Sequence, residues 1–476
     1  MSTAESDKKD NLIRITTVIE KLRYYGTREI HLFEWMFSLA ALTLSTFSLY
    51  TGFFGLLESW KHRMIHLVLI LALVFIGDLI RARGESGKLR KSYRLGISWI
   101  AFFALAAVAI YSAIDYENII LRMGQPNRWD MLFGAILIGI VVFASKRRLG
   151  WAITIIGLVF LLYAFYGYLF PQALYHRGMS VSRFIDFLFN QTKGVLGIPI
   201  KVAAEYVIMF IIFAAFLTKS GAGAFFIDFA FSLTGKMWGG PAKSSIVASA
   251  MMATINGSGV GNAVATGSIT IPLMKKAGYK PHFAAAIEAA ASTGGMITPP
   301  IMASVAFLIA EFTRTPYHMI MLYGLFPALL YFLAVMAMVH FEAKRQGLGP
   351  MDAKDIPELK VVMKQGWYYL LPIILLAAML IRGYSPMIAA STGVAFLVFL
   401  SLFRKETRMN VWDILTALEE GAKNTIMVSV ACGIAGVVVG VITGTGLGIK
   451  FSALILAVAN EQLFLVLLLT MVSSII

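Results

Sequence analysis

The chain has 476 residues, of which 58% are hydrophobic and only 14% are charged, and its formal net charge is +15 at pH 7. This composition excludes a water-soluble globular protein of such length and indicates a polytopic membrane protein. The basic residues fall in short stretches between apolar segments, which is typical of cytoplasmic loops and gives no indication of a nucleic-acid partner.

Apolar segments long enough to cross a membrane recur along the whole chain. A bilayer core of about 30 Å needs roughly 20 helical residues, and lipid satisfies no backbone polar groups, so the spans are expected to be helices. The predicted fold class is therefore an all-α polytopic membrane protein. We predict spans near 31–57, 63–80, 96–114, 130–145, 150–171, 201–219, 318–340, 367–382, 385–403 and 423–442, with broken segments between 240 and 312.

The chain divides by the character of its loops. The first 29 residues are polar and lack the apolar core of a cleavable signal, so the amino terminus is predicted to be cytoplasmic. Residues 1–146 are predicted to form a four-helix scaffold module, and residues 147–200 a connecting helix with a periplasmic link. Residues 201–476 are predicted to form a transport domain, because glycine, serine, threonine and proline interrupt the apolar segments there.

The stretch TINGSGVGNA, residues 254–263, breaks one of these apolar segments. The sequence predicts two half-helices around a break at residues 256–259, and each half is too short to span the bilayer alone. Lysines mark both outer ends, at positions 243, 275 and 276. We therefore predict a re-entrant helical hairpin over residues 240–276, with its tip at membrane depth.

The predicted tip offers backbone groups that can bind both an anion and a cation. The second half-helix begins there with Ser258 as its expected N-cap, and the N–H groups of a helix amino terminus favour a carboxylate or a phosphate. Carbonyl oxygens freed by the break suit a hard cation such as Na⁺.

A second break follows in AAIEAAASTGGMITPPIMASVAF, residues 285–307. Gly294 and Gly295 end one half-helix, and Pro299 with Pro300 prevents helical bonding across the gap. Paired discontinuous elements of this kind resemble those that build midplane sites in secondary transporters. The alternative is that the glycines only permit close packing and the prolines only kink a helix.

One acidic residue lies within the broken segments. Glu288 precedes Ser292 by four positions, so both fall on one helical face inside the membrane. It is a possible coupling carboxylate that tunes cation affinity or carries a proton, and the equally open alternative is a carboxylate paired with a basic group of the scaffold.

Two later segments form a repeat. FLTKSGAGAFFIDFAFSLTG (216–235) and VITGTGLGIKFSALILAVAN (441–460) align at an offset of 225 residues. The basic loops place the first copy on the cytoplasmic side and the second on the outer side, which is typical of inverted repeats. The same offset places a second hairpin tip near 481–484, so we expect this chain to be a fragment that stops before the second hairpin.

The run from about 197 to 312 resembles the large membrane subunit of tripartite ATP-independent periplasmic (TRAP) transporters, above all in TINGSGVGNAVATGSITIPLMKKAGY and AAASTGGMITPPIM. The preceding helices resemble the small subunit, fused to it as in TAXI-type members. The resemblance implies an elevator-type, sodium-symport permease of the bacterial inner membrane. Such a permease imports carboxylates that a separate periplasmic substrate-binding protein delivers, and it needs no organic cofactor.

The resemblance also assigns roles to individual residues, carried over by motif. It implies a Na⁺ site made mainly of backbone carbonyls, at Asn256, Gly257, Ser258, Thr293, Gly294 and Pro299. It implies substrate contacts for Ser258, Gly259, Asn262 and Thr266.

Three other classes of membrane protein are to be distinguished from a TRAP permease. A sodium–dicarboxylate symporter that needs no binding protein uses comparable hairpins, and it remains the alternative. An enzyme is not expected, because the spans show no paired catalytic carboxylates, no Ser–His pair and no histidine-rich metal cluster. A channel is disfavoured because no ring of one charge is visible. The identity of the substrate, and sodium against proton coupling, stay open.

Overall fold

The structure is a computed structural model that describes residues 17, 19–20, 31–83, 88–172, 174–403, 408–460 and 462–475. Within these ranges the regular secondary structure is helical and includes no strand. The predicted all-α class is confirmed.

The first third of the chain consists of long helices with short connections. They are α1 (Leu32–Phe54), α2 (Ser59–Arg83), α3 (Lys88–Ile114), α4 (Tyr116–Leu121), α5 (Arg128–Leu149) and α6 (Trp151–Tyr166).

The middle third consists of shorter and interrupted helices. They are α7 (Val181–Ile185), α8 (Ile198–Val202), α9 (Ile208–Lys219), α10 (Ala222–Thr234), α11 (Gly240–Asn256), α12 (Gly259–Lys276), α13 (Pro281–Gly295) and α14 (Ser304–Thr313). A π-helical turn, Ala203–Val207, joins α8 to α9.

The last third returns to longer helices. They are α15 (Tyr317–Gln346), α16 (Leu359–Gly366), α17 (Leu370–Ile381), α18 (Pro386–Ser401), α19 (Val411–Thr445), α20 (Leu447–Ala459) and α21 (Leu463–Ile475).

In the part of the chain that the structure describes, nine helical segments are long and apolar enough to cross a membrane. They coincide with all but one of the predicted spans. The exception is the span predicted at 385–403, which corresponds to α18, an apolar helix of 16 residues.

The chain divides into two compact units. The first comprises residues 1–56 and 205–425, and it includes α1 and the helices from α9 to α18. The second comprises residues 57–204 and 426–476, and it includes α2 to α8 with α20 and α21. The division into a scaffold module, a link and a transport domain, predicted at 146 and 200, stays a prediction.

Within the first unit, α11, α12, α13 and α15 share an apolar core. Its buried members are Ala242, Ile246, Met274, Tyr279, Ala284, Ile287, Ala291, Val339 and Ala343. Burial raises the pKa of Tyr279, which lies between α12 and α13, to about 12. This core holds the two arms of the predicted hairpin against α13.

The repeat predicted from the sequence is visible in local structure. Gly221 and Gly446 both adopt left-handed backbone, at φ 96° and 72°, and each serves as the N-cap of a helix of 13 residues. These helices, α10 and α20, begin and end at positions that differ by the predicted offset of 225. The two segments therefore carry the same helix–glycine–helix pattern.

Candidate functional site

The hairpin predicted from the sequence is present as two helices joined by a tight break. Helix α11 ends at Asn256, Gly257 takes left-handed backbone at φ 61°, and α12 begins at Gly259. The amide of Gly257 closes α11 by donating to the carbonyl of Ala253 at 3.1 Å. We call residues 256–259 the hairpin tip. Its position in the chain matches the prediction.

Ser258 is the N-cap of α12, as predicted. Its backbone is extended, and its side-chain oxygen accepts a hydrogen bond from the amide of Gly261 at 3.1 Å. Ser258 and Val260 are both exposed in the structure. The first turn of a helix leaves amide groups without intrahelical partners and carries partial positive charge, so an anion has access to a favourable position here.

The second break is also present. Helix α13 ends at Gly295, α14 begins at Ser304, and the segment between them, residues 296–303, contains both prolines. We call this segment the second break. The amide of Ala303 donates to the carbonyl of Met296 at 2.8 Å, which closes the segment into a compact loop.

The hairpin tip packs against the second break. A Cβ built on Gly257 would lie 2.7 Å from the carbonyl oxygen of Met302, and one built on Gly259 would lie 3.0 Å from the sulfur of Met296. The two breaks, more than 30 residues apart in the chain, therefore meet in the first unit. Only glycine permits so close an approach of the backbones.

The residues predicted to hold Na⁺ differ in how free their carbonyls are. The carbonyl of Gly294 already accepts bonds from the amide of Ile297 at 3.2 Å and from the hydroxyl of Thr298 at 2.8 Å. Because a carbonyl oxygen has two lone pairs, little remains for a cation at Gly294. Thr293 accepts from the amide of Met296 at 3.0 Å, which leaves one lone pair.

Other oxygens at the tip remain suitable for a hard cation. Gly257 and Ser258 lie at the tip itself, Pro299 lies in the second break, and the side chain of Asn256 is outside what the structure describes. The carbonyl of Met302, which sequence reasoning did not identify, faces the tip, with its oxygen 2.7 Å from a Cβ built on Gly257. Left-handed backbone at Met302, with φ 61°, turns the chain there, and no motif predicted it.

The residues predicted to contact substrate fall into two groups. Ser258 and Gly259 lie at the tip and are at least partly exposed, whereas Asn262 and Thr266 are buried. Asn262 donates from Nδ2 to the carbonyl of Ser249 at 3.1 Å and to the hydroxyl of Ser292 at 2.8 Å. In this structure Asn262 and Thr266 thus face the interior between α11, α12 and α13.

Glu288 lies at the centre of that interior and is 1% exposed. The hydroxyls of Ser249 and Thr266 donate to its Oε1, the hydroxyl of Thr270 donates to Oε2 at 2.5 Å, and Ser292 reaches Oε1 at 3.2 Å. We call these five residues the hydroxyl cluster. Among the described residues, no basic side chain forms an ion pair with Glu288, so the basic-partner interpretation finds no support.

Sequence reasoning missed two members of the cluster, Ser249 and Thr270. A signal for Thr270 was present, because Asn262, Thr266 and Thr270 recur at intervals of four and form one polar stripe along α12. Ser249 had no comparable signal, since α11 carries several serines.

Two tyrosines of α15 hold the second break and the end of α13, and the sequence did not reveal them. Tyr317 donates to the carbonyls of Pro300 at 3.0 Å and of Ile301 at 2.5 Å. Tyr331 donates to the carbonyl of Ala290 at 2.9 Å. The carbonyls of Pro300 and Ile301, which lie in the second break, are thus satisfied by a side chain from a neighbouring helix.

Comparison with known proteins shows which family this chain matches. Residues 136–476 match the family described as tripartite ATP-independent periplasmic transporter, DctM component. The C4-dicarboxylate TRAP transporter large permease protein DctM of Pseudomonas aeruginosa is 28% identical over 257 residues, 52% of this chain and 60% of that protein. Its namesake from Vibrio cholerae is 30% identical over 234 residues, 48% of this chain and 49% of that protein.

A longer match joins this chain to the sialic acid TRAP transporter permease protein SiaT of Haemophilus influenzae. The two are 21% identical over 355 residues, 73% of this chain and 53% of that protein. The chain spans about half the length of the curated relatives it matches. By their names these relatives are transporter permeases and not enzymes. Because the family match covers most of its length, the chain belongs to the family of the DctM component of tripartite ATP-independent periplasmic transporters.

Proposed function

We propose that the chain is the membrane permease subunit of a sodium-coupled secondary transporter of the bacterial inner membrane. It imports carboxylate-containing solutes that a periplasmic substrate-binding protein hands over. The observation that carries the proposal is the exposed amino terminus of α12 at a hairpin tip that packs against a second break.

Carboxylate is the substrate chemistry that this tip favours. Amide groups at a helix amino terminus bind anions, and Ser258 occupies the cap position while remaining exposed. The relatives' names point the same way, since C4-dicarboxylates and sialic acid both carry carboxylate groups. Anion recognition at this site needs no basic side chain.

Sodium is the proposed coupling ion, because helix breaks free backbone carbonyl oxygens and these two breaks lie against each other. The carbonyls of Gly257, Ser258, Thr293 and Pro299, with that of Met302, form the donor set we assign to it. Hard cations prefer such neutral oxygen ligands where broken helices expose them. Gly294 would hold the loop in shape through its two accepted hydrogen bonds.

The packing and the extent of the family match support a proposal about which helices move and which act as a small subunit. Helices α11, α12 and α13 share a core and the hydroxyl cluster, so they are expected to move as one body in an elevator-type cycle. The family match begins at residue 136, and we propose that the preceding helices act as a fused small subunit, of the TAXI type, with a cytoplasmic amino terminus.

Transport in proteoliposomes tests the proposal directly. The protein is reconstituted, and uptake of labelled C4-dicarboxylates and of sialic acid is measured with and without an inward Na⁺ gradient and a candidate binding protein. Flux that needs both supports the proposal. Flux that needs Na⁺ but no binding protein favours the simpler dicarboxylate symporter, and flux indifferent to Na⁺ overturns the sodium assignment.

Substitutions at Ser258 separate structure from substrate recognition. Ser258→Asp keeps an N-cap residue of similar strength but places a negative charge beside the incoming carboxylate, so uptake should fall at least about tenfold while thermal stability holds. Ser258→Ala removes the cap and should lower the free energy of unfolding by about 0.5–2 kcal/mol. Normal uptake by Ser258→Asp would remove the tip from the substrate site.

A further inference from the structure

The hydroxyl cluster contains more oxygen-to-oxygen contacts than hydroxyl protons. Glu288 contacts Ser249, Thr266, Thr270 and Ser292, and Ser249 also lies 2.8 Å from Thr266, which makes five contacts among five side chains. The four hydroxyls supply one proton each and an ionised carboxylate supplies none, so some hydroxyls must share one proton between two acceptors. A proton on Glu288 adds a fifth donor to these five contacts.

The distribution of contacts over the carboxyl group points the same way. Oε1 is approached by Ser249, Thr266 and Ser292, whereas Oε2 is approached by Thr270. A carboxylate oxygen offers two lone pairs, so three donors outnumber them. If Glu288 carries a proton on Oε1, one of the three contacts becomes a donation from Glu288.

Neighbouring acceptors increase the shortage of protons. The hydroxyl of Thr266 also lies 2.9 Å from the carbonyl of Asn262, and that of Thr270 lies 3.1 Å from the carbonyl of Thr266. Ser292 accepts from Asn262, so its own proton is the one that reaches Glu288. Every competing acceptor draws hydroxyl protons away from the carboxyl group.

Burial without a paired basic side chain disfavours the ionised form of Glu288. The charged and titratable residues of the packed helices α11, α12, α13 and α15 make no described hydrogen bond or ion pair with Glu288. They are Lys243, Lys275, Lys276, His282, Tyr317, His318, Tyr323, Tyr331, His340, Glu342, Lys344 and Arg345. A carboxylate removed from water without a compensating charge is costly, and it takes up a proton instead.

In this structure the side chains of the cluster pack directly against the carboxyl group. A hard cation such as Ca²⁺ holds its oxygen ligands about 2.3–2.6 Å away, which separates those ligands from each other. Here the hydroxyls touch the carboxyl group directly, and a Cβ on Gly267 would lie 3.0 Å from Cγ of Glu288.

We propose that Glu288 is a proton-binding site whose carboxyl proton adds a donor to the hydroxyl cluster and thereby helps to lock the hairpin arms to α13. The proton is held while α11, α12 and α13 are packed together, so it stays bound in any motion in which these helices move as one body. This site is distinct from the tip, and the proposal does not depend on which solute or coupling ion the protein uses.

Infrared spectroscopy of the intact protein in detergent at neutral pH tests the proposal. A protonated carboxyl group shows a carbonyl stretch well separated from the bands of a carboxylate. Glu288→Gln should remove one such band while the melting temperature stays close to that of the wild type, because the amide also donates and accepts. The matched control is Asp130→Asn, since Asp130 is buried but paired with Arg122 at 3.0 Å and should contribute no such band.

A second variant covers the case in which Glu288→Gln does not fold. Thr270→Val removes the partner of Oε2 and should shift the frequency of the band without removing it. The proposal is overturned if neither comparison shows a band that belongs to Glu288. A band that appears only after Na⁺ is withdrawn would also overturn it, because a cation and not a proton would then occupy the cluster.

Discussion

Gly295 of α13 lies directly against Ala253 of α11, so closely that a Cβ built on Gly295 would be 1.9 Å from the Cβ of Ala253 and 3.0 Å from its Cα. This contact sits one turn from the hairpin tip and sets the separation of the two helices. We predict that Gly295→Ala lowers the free energy of unfolding by about 1–3 kcal/mol, because overpacking forces the backbones apart. Chemical denaturation in detergent measures it.

Two further variants sharpen this prediction. Ala253→Gly combined with Gly295→Ala should recover part of the loss, since one of the colliding methyl groups is gone. Gly139→Ala is the matched control, because Gly139 is helical and a Cβ there meets nothing within 4 Å. An equal loss in the control would show that helical glycines of this protein are sensitive for another reason.

Asn262 is predicted to act as a structural link between the hairpin arms and α13. Its amide bonds both Ser249 and Ser292, so Asn262→Ala should cost about 1–3 kcal/mol by leaving buried acceptors without a donor. Ser268→Ala on the exposed face of the same helix should change stability by less than about 0.5 kcal/mol. If Asn262→Ala abolishes substrate binding but leaves unfolding unchanged, Asn262 contacts substrate as the family resemblance implies.

Tyr317 is predicted to hold the second break in place. Tyr317→Phe removes the hydroxyl that bonds the carbonyls of Pro300 and Ile301 but keeps the ring stacked on Phe307, whose centroid is 4.2 Å away. The expected cost is about 1–3 kcal/mol, because buried carbonyls lose their donor. Hydrogen exchange should also rise between residues 296 and 303.

The control for Tyr317 lies on the same helix. Tyr323 is 62% exposed, and Tyr323→Phe should leave both stability and exchange unchanged. Equal effects of the two substitutions would refute a specific role for Tyr317.

Gly446 is predicted to be required for its backbone conformation alone. Its φ is 72°, and a Cβ there would meet nothing within 4 Å, so the cost of Gly446→Ala, about 1–2 kcal/mol, comes from left-handed backbone. Gly446→Asn should lose less, since asparagine tolerates that conformation. Thermal unfolding of the wild type, Gly446→Asn and Gly446→Ala checks this order of stability. A Gly446→Ala variant at least as stable as Gly446→Asn would contradict the prediction.

Local chemistry explains why the breaks were predictable. The tip follows from a glycine able to take positive φ and from Ser258 as an N-cap, and the second break follows from two prolines that cannot donate to a helix. These effects act within a few residues of the chain. The sequence therefore predicted the half-helices, their ends and the repeated glycines at 221 and 446 correctly.

The face of α12 that is buried could not be predicted from the position of its apolar residues. The structure buries Asn262 with Thr266 and Thr270 and leaves Val260 and Val264 79% and 71% exposed. A substrate contact for Asn262 stays a prediction. In a membrane the surroundings of a protein accept valine, whereas polar side chains must find partners inside. An apolar face therefore does not identify the buried side of a membrane helix, as it does in a water-soluble protein.

The sequence by itself determined the all-helical membrane class, the hairpin and the second break, because composition, caps and prolines act over short distances. Only the tertiary structure decided that the two breaks meet and that Glu288 has hydroxyl partners and no described basic one. Those contacts join residues 18 to 39 positions apart, from three different helices. Their formation depends on how the helices rotate and pack against each other, and small polar residues on several faces of each helix leave that rotation undetermined.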